Sequence, residues 1–163
     1  PQGQGWDISD KEETSALAGL CIEAKIPLLI HGNEPVGHAY PGKTKDTPKR
    51  LAGFAEHHPE LSIIFAHWGG GSRFYESMPE MQRILRNVSY DTAATPFLYR
   101  PTLYDMVKAG GLVHKVIFGS DYPLLSPARH EAQLHESNLN EEDIANICGE
   151  NFLRILDRAA FDE

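Results

Sequence analysis

Four short apolar runs, at 26–31, 62–67, 87–91 and 115–121, alternate along the chain with segments patterned as helices. The first, second and fourth are almost continuous in apolar character, as strands covered on both faces of a parallel sheet are; the third alternates. Helix starts fall between them: Ser9 with Glu12 as a capping box, Thr47-Pro48, Ser77 to Glu80, Pro101, Ser126-Pro127, and Asn140 to Asp143. Gly110-Gly111 ends the helix begun at Pro101. The last helix is expected to turn Ile144, Ile147, Phe152 and Ile155 inward, with a break at Gly149. Strand–helix alternation demands parallel strands joined by right-handed crossovers, an α/β fold. The strand ends at residues 31, 67, 91 and 121 lie about 30 residues apart, close to the roughly 31 residues per unit of an eight-unit barrel. Only four units are present, so the 163 residues read as a single domain, the second half (strands five to eight) of a TIM (β/α)8 barrel. A half-barrel leaves a strand edge open at each end, which predicts self-association or pairing with the missing half.

Composition narrows the function. With 41% hydrophobic and 23% charged residues the chain is an ordinary globular one, and a net charge of −8 disfavours nucleic acid or an anionic membrane surface as partner. No apolar run approaches the roughly 20 residues of a membrane span, and the first residues do not read as a signal peptide. Two cysteines, Cys21 and Cys148, rule out a disulfide scaffold and point to the cytoplasm, with Cys148 expected as a small buried helix residue. Opening on Pro1 instead of Met, the chain is expected to be a piece of a longer one.

The chemistry-bearing residues gather where strands end. His31, His67 and Asp121 each close an expected strand, and in α/β barrels the carboxyl ends of strands converge on the ligand site. Two imidazoles and a carboxylate suit Zn²⁺ or another divalent metal that activates water; His67 alternatively serves as a general base. Gly69-Gly70-Gly71 lacks the spacing and Lys of a phosphate loop and reads as a tight turn. The loop after His31 offers Glu34, His38, Tyr40 and Lys43 as substrate contacts or as a rigid surface loop held by Pro35 and Pro41. Trp68 either walls the site or packs beneath it, and packing is favoured. His114, His130 and His135 are assigned to solvent.

Several segments resemble the carboxy-terminal half of the amidohydrolase superfamily, in the amidohydrolase-related branch that includes aminocarboxymuconate-semialdehyde decarboxylase. They are Ile30-His31, Glu34 to Lys43, Ala66-His67-Trp68-Gly69-Gly70-Gly71, Tyr90-Asp91-Thr92-Ala93-Ala94 and Phe118-Gly119-Ser120-Asp121-Tyr122-Pro123. The resemblance implies that His31 is a metal ligand, that His67 is a second ligand or activates the water, and that Asp121 is a ligand and proton shuttle. It implies metal-dependent hydrolysis or non-oxidative decarboxylation of a small molecule. The family's His-x-His pair on the first strand has no counterpart here. The alternative is a catalytically incomplete half-barrel, acting as a binding scaffold or as a subunit completed by a partner.

Overall fold

The structure, a computed structural model, describes residues 2–37 and 39–161, with side chains for 3–37 and 39–157. Helix α1 (Lys11–Glu23) precedes strand β1 (Leu28–Ile30); α2 (Pro48–His57) leads to β2 (Ile63–Phe65), and α3 (Pro79–Ile84) to β3 (Val88–Asp91). Helices α4 (Thr95–Leu98) and α5 (Thr102–Ala109) lead to β4 (Val116–Ile117), and α6 (Pro127–His135), α7 (Glu141–Ala145) and α8 (Asn151–Phe161) finish the chain. The sheet order is β1-β2-β3-β4, every pair parallel. A doubly wound sheet reverses its strand order at a switch point. This one never reverses, so right-handed crossovers put every helix on one face, as in a barrel wall.

The expected caps hold at Thr47, Ser126 and Asn140, the last in a full capping box with Asp143. At α1 the cap is Asp10 and not Ser9: its carboxylate accepts from Glu12 N at 3.0 Å and Glu13 N at 3.1 Å. Register pairs Leu29 with Ile64 and Ile64 with Ser89, and Asp91 with Ile117. By strand alternation these residues share the face away from the helices. Leu28, Ile30, Ile63, Phe65, Val88, Tyr90 and Val116 face the helix layer and form most of the sheet's share of the core.

Among the described residues the two edges of the sheet differ. Around β4 the C-terminal helices supply partners: Phe118 N, just past the strand, donates to Ile147 O at 2.8 Å, and the Asn151 amide donates to Val113 O before it and to Val116 O on it. Ile147 lies in a π-helical turn, Asn146–Glu150, whose extra residue per turn frees its carbonyl. On β1, Leu28 and Ile30 bond toward β2, which leaves the Leu29 backbone pointing outward beside a side chain that is 58% exposed.

Two histidines are buried in this scaffold. His130, expected in solvent, is fully buried against the Phe118 ring, with Nε2 donating to Ser120 O at 3.0 Å and Nδ1 without a partner among the described residues. Burial pushes His130 and His58 below the ordinary imidazole value. Both take protons more readily in the unfolded chain. Their contribution to stability is therefore complete above about pH 6.5 and is lost as pH falls below it, by up to about 1.4 kcal/mol per pH unit for each. Thermal unfolding at pH 7.5 and pH 5.5 is expected to show a lower Tm at the acidic pH, with a shallower dependence in His130→Phe; a flat profile in the native protein would contradict it.

Candidate active site

His31 follows β1 directly and rises from the face that carries Leu29. His67 follows β2 by two residues and opens a run of left-handed backbone: φ is 56° at His67, 59° at Trp68, 60° at Gly69, 58° at Gly70 and 91° at Gly71. Glycine adopts this region freely, but a histidine and a tryptophan do so only under constraint. The constraint comes mainly from the end of β3. Asp91 Oδ1 accepts from His67 N at 2.7 Å and from Ala93 N at 3.0 Å, and Ala93 O lies 3.1 Å from His67 Nδ1. Because a carbonyl only accepts, Nδ1 carries a proton, so in the neutral ring the lone pair is on Nε2. Trp68 is fully buried, donates from Nε1 to Thr95 Oγ1 at 2.7 Å, and meets the Tyr104 ring edge-on. It therefore packs beneath the site, the reading favoured from sequence, and does not wall it as a substrate contact.

The turn is seated on the segment after β1 by backbone contact. A Cβ on Gly70 would lie 2.1 Å from Asn33 O, and one on Gly32 would lie 3.0 Å from Gly69 Cα. Asn33 Oδ1 in turn accepts from Thr44 N at 2.8 Å and Thr44 Oγ1 at 2.9 Å, which fixes the far end of the loop.

These supports bring two imidazoles together. The His31 and His67 ring centroids are 4.9 Å apart and the rings stand edge to face. His31 Nε2 is buried with no hydrogen-bond partner among the described residues. Burial first, and His67 second, push His31 below the usual imidazole value, so it is neutral at pH 7 with a lone pair available. A buried acceptor left unmade is costly, and it is what a metal ligand without its metal looks like.

The rest of the expected site is distributed differently. Strand β4 ends at Ile117, and Asp121 stands four residues farther on, exposed, in left-handed backbone with φ 61°. Among the described residues no three His, Cys, Asp or Glu side chains converge closely enough for a metal ion, so Asp121 does not complete a triad in this conformation. Burial pushes the Asp91 carboxyl up and the Asp121 charge adds to it; burial, then Glu34, then Asp121 raise the Tyr40 phenol. Glu34 accepts from the Tyr99 hydroxyl at 2.6 Å, a bond that spans 65 residues and, with burial, pushes the Tyr99 phenol far up. Tyr40 is half-buried, and Lys43 Nζ donates to Val36 O at 2.6 Å while standing 5.9 Å from the Tyr40 ring centroid. His38 lies outside the described residues.

Two residues of this rim were given no role from sequence. Asp91 closes β3 as His31 nearly closes β1, and strand-end position alone would have singled it out. Tyr99 sits between α4 and α5 with no local signal; only the contact with Glu34 places it.

A model of the amidohydrolase family matches residues 1–158. No curated protein matches the chain. Among solved structures, an uncharacterized TIM-barrel protein from Bordetella bronchiseptica is 18% identical with a TM-score of 0.69, covering 95% of this chain and 53% of its own. A 5-carboxyvanillate decarboxylase from Sphingomonas paucimobilis is 15% identical with a TM-score of 0.64, covering 83% and 50%. A dihydroxybenzoic acid decarboxylase from Polaromonas, with bound manganese and the inhibitor 2-nitroresorcinol, is 17% identical with a TM-score of 0.60, covering 85% and 52%. The chain thus spans about half the length of the structures it matches. Among the described residues no helix is long and apolar enough to cross a membrane.

Proposed function

The chain belongs to the amidohydrolase family, and from that premise we propose that it carries half of a metal-dependent site that hydrolyses or non-oxidatively decarboxylates a small molecule. The observation behind this reading is the buried, unpartnered Nε2 of His31 beside the His67 ring. His31 Nε2 is a metal ligand. His67 Nε2, its tautomer set by Ala93 O, is the second ligand or the base that takes a proton. Asp91 holds the His67 backbone so that this nitrogen faces the rim. Asp121 is the third donor and proton shuttle, and to ligate it must turn inward from its exposed position. Glu34, Tyr40 and Lys43 line the substrate side. A divalent cation held there supplies Lewis-acid polarisation of a water or substrate oxygen. Zinc suits the imidazole donors, and the manganese of the Polaromonas enzyme supports a divalent ion of either kind.

Calorimetric titration of metal-stripped protein with Zn²⁺ and Mn²⁺ is expected to show one ion per chain. His31→Ala and His67→Ala should each weaken it by at least about 100-fold, more than the 10–100-fold typical of outer-shell partners. No binding, or binding indifferent to both variants, would sink the proposal. Release of CO2 from a carboxylate substrate, against release of amine or alcohol, separates decarboxylation from hydrolysis. The missing third donor favours a second reading, a half-site completed by another polypeptide or retained as a binding scaffold. One metal equivalent that appears only when a second chain co-purifies would support the first form of it.

A further inference from the structure

A second site lies away from the strand-end rim. Between the turn that follows His67, helix α3 and helix α5 there is a cavity of about 500 Å³, a volume that suits a small molecule. Arg73 lines it, 4% exposed, its Nε buried with no hydrogen-bond partner among the described residues, and it forms no ion pair among them. The guanidinium stacks 5.1 Å from the centroid of the Phe74 ring, another wall of the cavity.

The nearest acidic influence on Arg73 is spoken for. Glu76 is 4% exposed; its Oε1 accepts from the Tyr90 hydroxyl at 2.6 Å, and both its oxygens accept from Lys115 Nζ at 2.7 Å. One buried carboxylate thus faces two buried cations, Lys115 and Arg73, leaving one positive charge unmatched. Burying such a charge without a partner is strongly unfavourable, and desolvation indeed works against the charged form of Arg73. The rest of the wall combines the Ser77 hydroxyl and the Gln82 amide with the apolar surfaces of Met106 and Leu112.

We propose that Arg73 anchors a binding site for a singly charged carboxylate with an aromatic or aliphatic body. The planar guanidinium matches a carboxylate in forked geometry, and the single unmatched charge calls for one negative charge. The apolar walls take the body of the ligand. None of His31, His67, Asp91 or Asp121 lines this cavity, so occupancy is independent of the strand-end chemistry.

Benzoate is the probe, with benzamide as its neutral isostere and inorganic phosphate as a bodiless anion, read by ligand-observed NMR titration of the full chain. Benzoate is expected to bind at least tenfold more tightly than either control. Arg73→Met should weaken it at least tenfold, while His31→Ala leaves it unchanged, which separates this cavity from the rim. Equal binding of benzamide, no benzoate binding at millimolar concentration, or indifference to Arg73→Met would each overturn the proposal. Should Arg73→Met fail to fold, Gln82→Glu decides it. That change puts a carboxylate on the exposed wall of the same cavity, and is expected to raise the Tm and weaken benzoate. Unchanged benzoate affinity in Gln82→Glu would overturn the site.

Discussion

Gly70→Ala is expected to destabilise the protein by about 2–5 kcal/mol, the sum of a left-handed backbone cost and an overpacking cost. The added methyl would sit 2.1 Å from Asn33 O and 2.2 Å from Asn33 C, and both are backbone atoms with no rotamer by which to retreat. Relief must come from moving the segment after β1 away from the turn after β2. Since His31 and His67 stand on those two pieces, the same movement separates the imidazoles. At roughly 2–4 °C per kcal/mol for a chain of this size, Tm should fall by about 5–20 °C. Gly37→Ala is the control: φ is positive there as well, at 82°, but no described atom lies within 4 Å of the added carbon, so only about 1–2 kcal/mol is expected. Differential scanning calorimetry of the two variants measures the contrast, and equal losses would show that the contact between the two loops is unimportant.

Glu76→Gln is the second large effect, at about 3–5 kcal/mol, because it leaves the Lys115 ammonium buried beside Arg73 with no carboxylate. Lys115 already sits below the ordinary lysine value through burial, with Glu76 holding it up. Without Glu76 it sheds its proton more easily in the folded chain than in the unfolded one. The variant should then regain stability as pH rises from 7 toward 9, the direction set by an unfolded state that binds more protons. Glu76→Leu combined with Lys115→Met should recover part of the loss, since it removes the stranded ammonium but leaves Arg73 and the Tyr90 hydroxyl without the carboxylate. Denaturant titrations at pH 7 and 9 test both statements, and a double variant as unstable as the single would refute the pairing argument.

Much of the fold is legible in the sequence because parallel strands are nearly continuous apolar runs and helices announce their starts. The runs at 62–67 and 115–121 overstate strands that cover Ile63–Phe65 and Val116–Ile117, since apolar residues continue past the last ladder bond. The last helix shows where periodicity fails. The π turn at Asn146–Glu150 inserts an extra residue, so Cys148 within it and Phe152 (40% exposed) just beyond it are exposed where a 3.6-residue period turns both inward. Ile147, inside the turn, stays buried.

At the candidate site, strand-end position singled out His31 and His67, whose rings meet. What it missed depends on partners distant in the chain. The left-handed backbone of His67 is held by Asp91, 24 residues on; the burial of His130 rests on Ser120 and Phe118 across a loop. Gly69-Gly70-Gly71 reads from sequence as a turn, but that two ordinary residues before it share its hand follows only from tertiary contacts.

Among the described residues, a sheet whose freer side is β1 limits backbone assembly to that side. Once another strand has zipped onto Leu29, the seam is used up, and the far side is already occupied by the Ile147 carbonyl and the Asn151 amide. Two copies of the described residues joined at that seam would cover each other's Leu29 edge, so strand addition would have little room to continue.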